Sequence, residues 1–260
     1  MAESQRVWLI GGTSDSRAVA RLLSDRQIPW IATVVSPRAQ RLYKNLPGKI
    51  YAGPLTSETL PDWLEQHRIT HIIDASHPFA VEVSTMAIST CRPYLRYERP
   101  AVDLVPITAK HPNIIAVNSW EDLFAQALHP MRARQQPRIL LTTGLKSLHR
   151  AIPLWHQAQW WARILPSSEA AAIALGFPRD RLLPQLPPKD IATEQGQWRA
   201  LNIDTVLTKA SGEAGKLPQK IAAAIAQQTR LLILRRPLMS YPQQVRSIEE
   251  LSDHLNARPK

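Results

Sequence analysis

Between Val7 and Ser76 four short apolar runs alternate with segments of helical period, and no other feature constrains the fold as much. RVWLIG, IPWIATVVS, KIYAG and THIIDAS are rich in β-branched and aromatic residues, as strands require. Between them, SRAVARLLSDRQ, PRAQRLYKNL and SETLPDWLEQHR repeat apolar residues at helical spacing. This alternation predicts a parallel sheet with helices on both faces. VEVSTMAISTC adds a helix and PYLRYERP a fifth strand. DLVPITAKHPN, with two prolines and no clear period, reads as the connection to a second domain.

Beyond that connection the rhythm resumes. IIAVNS, RILLTTG, QWWARILP, DTVLTKAS and RLLILRRP have strand character. SWEDLFAQAL (with Ser119 as its cap), LKSLHRAI, SSEAAAIALG and KLPQKIAAAIAQQ have helical character. The expectation is an α/β protein of two lobes, residues 1–107 and 108–260, each a mostly parallel sheet with helices on both faces. A length of 260 residues suits two ordinary domains.

Composition removes several classes. With 44% hydrophobic and 20% charged residues the chain is globular rather than disordered. No apolar run approaches the roughly 18 residues of a membrane span. The segment before the first strand is too short for a signal peptide. A single cysteine, Cys91, excludes an internal disulfide and a Cys-based zinc site, and fits a reduced, cytoplasmic setting. The net charge of +11 is uneven: residues 1–130 carry +1 and residues 131–260 carry +10. Such a field attracts nucleic acid, phosphates or a polycarboxylate, although a solvated basic surface has the same composition.

Open parallel sheets bind ligands beyond the carboxyl ends of their strands. After the first strand come Gly11, Gly12, Thr13 and Ser14, where glycines allow close backbone approach and the next helix offers amides to a phosphate. The same residues also make a tight turn with an ordinary N-cap, and the fingerprint G-x-G-x-x-G is absent. After the second strand come Ser36 and Arg38, with no acid between Trp30 and Tyr51. Dinucleotide-binding units that take NAD place an acid near this point, and those that take NADP place an Arg. The pattern favours NADP. Gly53 after the third strand suits a turn or contact with an adenine. Ser76 and His77 after the fourth lie where a nicotinamide would end, although a lone His is more often structural. Asp74 before them reads as a strand-end hydrogen-bond acceptor. In the second half, Thr143 and Lys146, then Lys209, Ser211 and Gly212, follow strands and suggest an anion site.

Taken together, IGGTSDSR, AGPL, IIDASHPFA, LRYERP, LLTTG, RILP, LTKASG and the final RRP resemble the precorrin-6A reductase family, also called cobalt-precorrin-6A reductase. The match runs in order across nearly the whole chain, and IIDASHPFA is its most specific element. The resemblance implies two Rossmann-like lobes with a cleft between them, NADPH as hydride donor, and a tetrapyrrole polycarboxylate of cobalamin biosynthesis as substrate. With the strand-end reading above, Gly11, Gly12, Thr13, Ser14, Ser36, Arg38, Gly53, Ser76 and His77 are then expected at the cofactor. Arg96, Arg99, Thr143, Lys146, Lys209, Ser211 and Gly212 become candidates for substrate carboxylates, and His77 and Lys209 for the proton donor. No metal is expected, nucleic acid is not expected as a partner, and a monomer is the default. Two departures stand out: Ala210 replaces the acid usual in T-K-D-S-G, and Leu183–Pro188 replaces a G-P-F-S-like segment. The competing readings are another NADP-dependent reductase and a basic anion- or nucleic-acid-binding protein. Against a short-chain dehydrogenase, no Tyr has a Lys four residues on. Against a nucleic-acid binder, no helix-turn-helix or aromatic RNA-binding motif is present.

Overall fold

The structure of the chain, a computed structural model, describes residues 5–129 and 136–257. They fall into two compact units. One comprises the residues up to Pro100 together with those from Pro237 onward; the other is Ala101–Arg236.

In the first unit, β1 (Val7–Ile10), β2 (Trp30–Val34), β3 (Lys49–Ala52), β4 (His71–Asp74) and β5 (Tyr94–Tyr97) are all parallel, in the order β3-β2-β1-β4-β5. Helices α1 (Ser14–Asp25), α2 (Pro37–Gln40), α3 (Leu60–Gln66) and α4 (Val81–Ile88) make the crossovers. Strand periodicity explains why β1 sits at the centre. Val7 and Leu9 join a core with Val19, Leu23 and Tyr43. Trp8 and Ile10 point the other way, into a core with Leu60, Leu64 and Ile72. A strand buried on both faces must be continuously apolar, and VWLI is. The indole N–H of Trp8 is satisfied by Thr33 Oγ1 at 2.8 Å.

The second unit repeats the plan with β6 (Ile114–Val117), β7 (Arg138–Leu141), β8 (Gln159–Ile164), β9 (Leu182–Pro184), β10 (Thr205–Lys209) and β11 (Arg230–Leu234). All are parallel, in the order β6-β11-β10-β7-β8-β9. Its helices are α5 (Val105–Lys110), α6 (Trp120–Leu128), α7 (Leu148–Ala151), α8 (Glu169–Ala174), α9 (Ile191–Ala200) and α10 (Leu217–Gln227). Strand order reverses at β1/β4 in one sheet and at β7/β10 in the other. These are the two places where an open parallel sheet offers a crevice.

Three expectations change. The supposed connection DLVPITAKHPN contains α5; Pro106 lies in its first turn, where no amide is required, and Leu104 before it is buried. Expected as one cut at 107/108, the division of the chain falls instead at 100/101 and again at 236/237. The returning segment supplies β12 (Gln244–Val245), parallel to β5, and α11 (Ile248–Asn256), capped by Ser247. RLLILRRP is therefore not the last strand. Finally, β9 and α9 were not expected: β9 is three residues long and ends in proline, and α9 has no strong apolar stripe. No helix among the described residues is long and apolar enough to cross a membrane.

Leu251 on α11 is fully buried in the same core as Val19 and Leu23 of α1. Leu251→Ala is expected to cost about 2–5 kcal/mol, the usual loss for a buried leucine. Urea denaturation followed by tryptophan fluorescence measures it. A loss within about 0.5 kcal/mol, typical of a surface site, would show that the terminal segment is not integral to the first unit.

Candidate functional site

The loop after β1 is built around a tyrosine. Gly12 N–H donates to the Tyr43 hydroxyl at 3.0 Å, and that hydroxyl shares a 2.6 Å hydrogen bond with Ser16 Oγ. A Cβ on Gly11 would lie 2.0 Å from the same oxygen, so only glycine fits there. Gly12 has φ +100°, which glycine adopts without strain. Thr13, rather than Ser14 or Asp15, is the N-cap of α1: its Oγ1 accepts from Ser16 N, and the Ser16 hydroxyl accepts from Thr13 N. Thr13 Oγ1 also donates to Ala75 O at 2.8 Å, tying the β1 loop to the β4 loop across the switch point. Ser14 is exposed at the positive end of α1. Burial holds the Tyr43 hydroxyl above its ordinary pKa, so it stays protonated and can serve as donor and acceptor at once.

A buried polar network follows β4. Asp74 is fully buried and accepts from Ser76 N–H (2.9 Å), Ser84 Oγ (2.6 Å), Tyr94 O–H (2.7 Å) and an Arg96 N–H (2.8 Å). Arg96, expected to meet substrate, is 1% exposed and donates to Asp74, Glu98 and both oxygens of Ser76. Its guanidinium is committed to holding the β4 loop, not presented to a ligand. Burial alone would lower its pKa, yet Asp74 and Glu98 raise it overall. Burial first, then Asp74, raises the pKa of Tyr94, keeping it a phenol. Tyr241, from the returning segment, lies 5.2 Å from the Arg96 guanidinium and stacks near Tyr94. Sequence reasoning missed Tyr43, Tyr94 and Tyr241, because tyrosines at such distant positions carry no spacing signal.

Ser76 is buried with Arg96, whereas His77 beside it is exposed. His77 Nδ1 accepts from Phe79 N–H at 3.2 Å, which leaves the ring proton of the neutral form on Nε2. The helix after this loop begins at Val81 and has no side-chain cap, so neither Ser76 nor His77 is its N-cap. Arg99 pairs with Asp15 at 2.8 Å. At the end of β2, Ser36 caps α2 and Arg38 is exposed on its first turn. Gly53, with φ +139°, ends β3 and donates its N–H to Val34 O.

In the second unit the β7 and β10 loops meet at the other switch point. Thr142 hangs from β10 through two bonds to Leu207 O. Thr143, expected to touch substrate, is buried, and its hydroxyl shares a 2.6 Å bond with Ser147 Oγ; it holds the turn instead. Ser211 donates both N–H and Oγ–H to Lys209 O. Gly212, with φ +69°, is buried in the same turn. Lys146 is exposed, whereas Lys209 is half-buried, with Nζ 5.2 Å from the Trp120 ring centre. Burial, then Lys146 and Arg150, push the Lys209 pKa down to about 8. Ala210, in the place of the usual acid, is buried; its carbonyl accepts from Arg236 Nε. No cluster of metal-ligating side chains occurs among the described residues.

These residues suit a nucleotide at the first switch point. Exposed Gly12 and Ser14 lie at a helix N-terminus, the hydroxyl-lined turn is held by Tyr43, and Arg38 stands at the end of β2.

The family of precorrin-6x reductase CbiJ/CobK matches residues 6–256 of the chain. A cobalt-precorrin-6A reductase of Synechocystis sp. is 36% identical, over 89% of this chain and 88% of its own. A precorrin-6A reductase of Mycobacterium tuberculosis is 31% identical, over 90% of each. Among solved structures, a CobK precorrin-6A reductase superposes with a TM-score of 0.74 over 97% of this chain and 96% of its own, at 19% identity. That likeness bears on fold: two parallel sheets flanked by helices.

Gly11→Ala forces a methyl group against the Tyr43 hydroxyl and is expected to lower the melting temperature. Tyr43→Phe in the same chain should recover part of that loss, because it removes the colliding oxygen. Calorimetry of the wild type, both single variants and the double variant measures this coupling. Strict additivity would show that Gly11 and Tyr43 do not meet.

Proposed function

The chain belongs to the precorrin-6x reductase CbiJ/CobK family, and from that premise we propose NADPH as its cofactor, held by the first unit. Its activity is that of a precorrin-6A reductase of cobalamin biosynthesis, an oxidoreductase acting on a CH–CH group. A reductase of this family implies a reduced nicotinamide as hydride donor. The observation that carries the choice of NADPH is the end of β2: Arg38 is exposed on the first turn of α2, and no carboxylate lies between Trp30 and Tyr51. A guanidinium there matches a ribose 2′-phosphate; a ribose 2′-hydroxyl calls for an acid instead.

When bound, the nicotinamide supplies the hydride. The chain supplies everything else. Gly12, Thr13 and Ser14, at the positive end of α1, hold the pyrophosphate, and Gly11 keeps the loop close against Tyr43. Ser36 and Arg38 hold the 2′-phosphate, and Gly53 lets the backbone lie beside the adenine. Ser76, fixed by Arg96, and His77 border the nicotinamide. Carboxylates of the tetrapyrrole meet Lys146 and Lys209 in the second unit, whose turn is shaped by Ser211 and Gly212. Lys209 holds the proton that must reach the carbon next to the one reduced, with His77 Nε2–H as the second candidate. The protein works in the cytoplasm on this small molecule, without nucleic acid. The excess positive charge of the second half then acts by steering and pairing a polycarboxylate.

Arg38→Ala is expected to raise the KM for NADPH by about tenfold or more, the loss of one or two charge-assisted bonds, and to leave that for NADH nearly unchanged. Steady-state rates with both cofactors measure it, and equal effects would remove Arg38 from the 2′-phosphate. A second expectation concerns pH. With its pKa at about 8, Lys209 is an ammonium below pH 8 and loses its proton above it. A donor of that kind gives kcat/KM that falls as pH rises through about 8. Lys209→Met should abolish that limb of the profile; an unchanged limb would assign it to another group.

A further inference from the structure

The crossovers of the first unit return the chain to the amino edge of its sheet, opposite the loops assigned to the cofactor, and a cavity of about 280 Å³ opens there. Its lining comes from four successive approaches to the sheet. Arg6 stands before β1, Trp30 opens β2, Lys49 opens β3, and His67 follows α3. None of these four residues takes part in the chemistry described above.

The cavity has one apolar wall and one basic wall. The apolar wall is the Trp30 indole with Ile28 and Pro47. It is fixed in place: Trp30 is buried and donates its indole N–H to Ser24 Oγ at 2.9 Å. Gly48 lies so close to the ring that an added Cβ would sit 2.4 Å from its atoms. The basic wall is Arg6, Lys49 and His67, and no Asp or Glu occurs among the described residues that line the cavity. Arg6 donates one Nη1–H to His67 O at 3.1 Å, which leaves the Nε–Nη2 edge of its guanidinium for a second acceptor. The His67 ring is oriented by Trp63 at 4.7 Å and Tyr51 at 5.0 Å. Burial, then Lys49 and Arg6, lower the His67 pKa, so near neutral pH the ring adds a hydrogen-bonding nitrogen and no third charge.

Two permanent cations beside an apolar wall match a ligand that is doubly anionic at one end and apolar at the other. A phosphate monoester has that form, with a second pKa near 6; a single carboxylate brings only one charge. An apolar cavity of roughly 150 Å³ takes benzene. The volume here therefore has room for one ring and a phosphoryl group, and too little for a dinucleotide. We propose that this cavity is a second binding site, on the sheet edge opposite the cofactor loops, for a small phosphate monoester. The apolar body of the ligand lies against Trp30, its phosphoryl group meets Arg6 and Lys49, and His67 supplies a further hydrogen bond.

Phenyl phosphate is the probe, and isothermal calorimetry on the full chain, with NADPH present in excess, measures its binding. One-to-one binding is expected, with inorganic phosphate and phenol both weaker. Lys49→Ala and Arg6→Gln should each weaken the probe by about tenfold, the worth of one charge-assisted bond. Lys49→Arg should retain most of the affinity. Lys49 is exposed, so its removal leaves the core intact, which circular dichroism checks. Arg38→Ala and Lys146→Ala, which alter the anion contacts proposed for cofactor and substrate, should leave the probe unaffected. No binding of phenyl phosphate at millimolar concentration overturns the proposal, and so does full affinity in Lys49→Ala. Equal affinity for inorganic phosphate overturns it as well, because Trp30 would then contribute nothing. A probe displaced by NADPH, or weakened by Arg38→Ala in place of Lys49→Ala, belongs to the cofactor crevice and overturns it too. A wild-type chain that binds the probe as expected but does not bind NADPH would count against the cofactor assignment and leave this site standing.

Discussion

The carboxyl edge of the first sheet depends on one buried carboxylate. Asp74 is removed from water entirely, and four donors replace the solvent it loses. A carboxylate buried without them would cost several kcal/mol. Each donor comes from a different place: the β4 loop, α4, and two positions on β5. Satisfying Asp74 therefore fixes the loop that carries Ser76 and His77 relative to the sheet. Arg96 extends the same constraint to Glu98 and toward Tyr241, so the returning segment is part of it. Thr13 closes the arrangement from the other side by bonding Ala75 O. The β1 and β4 loops, which form the crevice of this sheet, are thus held by hydrogen bonds to each other and to the interior.

The same chemistry sorts the cations. A positive residue at a strand end has two fates: it finds an acceptor within the fold, or it remains available to a ligand. Arg96 and Arg163 follow the first course, each on a carboxylate with little solvent exposure. Arg138 also turns inward, to Leu201 O and Gln159, with Trp161 beneath it. Lys146 and Arg150 remain at the surface, and Lys209 lies between them and the interior. The +10 carried by the second half of the sequence is therefore not spread evenly as a functional field. A substantial part of it is structural.

What the sequence made legible follows from which signals are local. The alternation of β1 to β5 could be read because buried parallel strands are continuously apolar and their crossovers have helical period. The polar role of Asp74 could be read from its place at the end of IIDAS, since a carboxylate there meets the following amides. The roles of Arg96 and Thr143 could not. A strand-end Arg has the same spacing whether it turns to Asp74 or to solvent, and only the packed fold decides. The passage of residues 237–257 back to the first sheet was equally invisible, because nothing in YPQQVRSIEELSDHL says which of two similar sheets it will join. Its β12 is two residues long and offers no periodicity to read.

Tyr43 explains the absent third glycine. In the fingerprint G-x-G-x-x-G the glycines serve a tight turn, close approach of the backbone to pyrophosphate, and close packing of helix on strand. In this chain Gly11 provides the close approach, but toward a protein hydroxyl; its missing side chain leaves room for Tyr43. Gly12 provides the turn. The position of the last glycine is taken by Ser16, buried against the same tyrosine, and its hydroxyl bonds both to Tyr43 and within the cap of α1. Helix and strand are therefore brought together by a polar contact instead of by the absence of a side chain. That solution ties the loop to a residue in the turn after α2, the segment that also carries Arg38. The two ends of the proposed NADPH site, pyrophosphate and 2′-phosphate, are joined through one tyrosine, and a change that loosens either end is felt at the other.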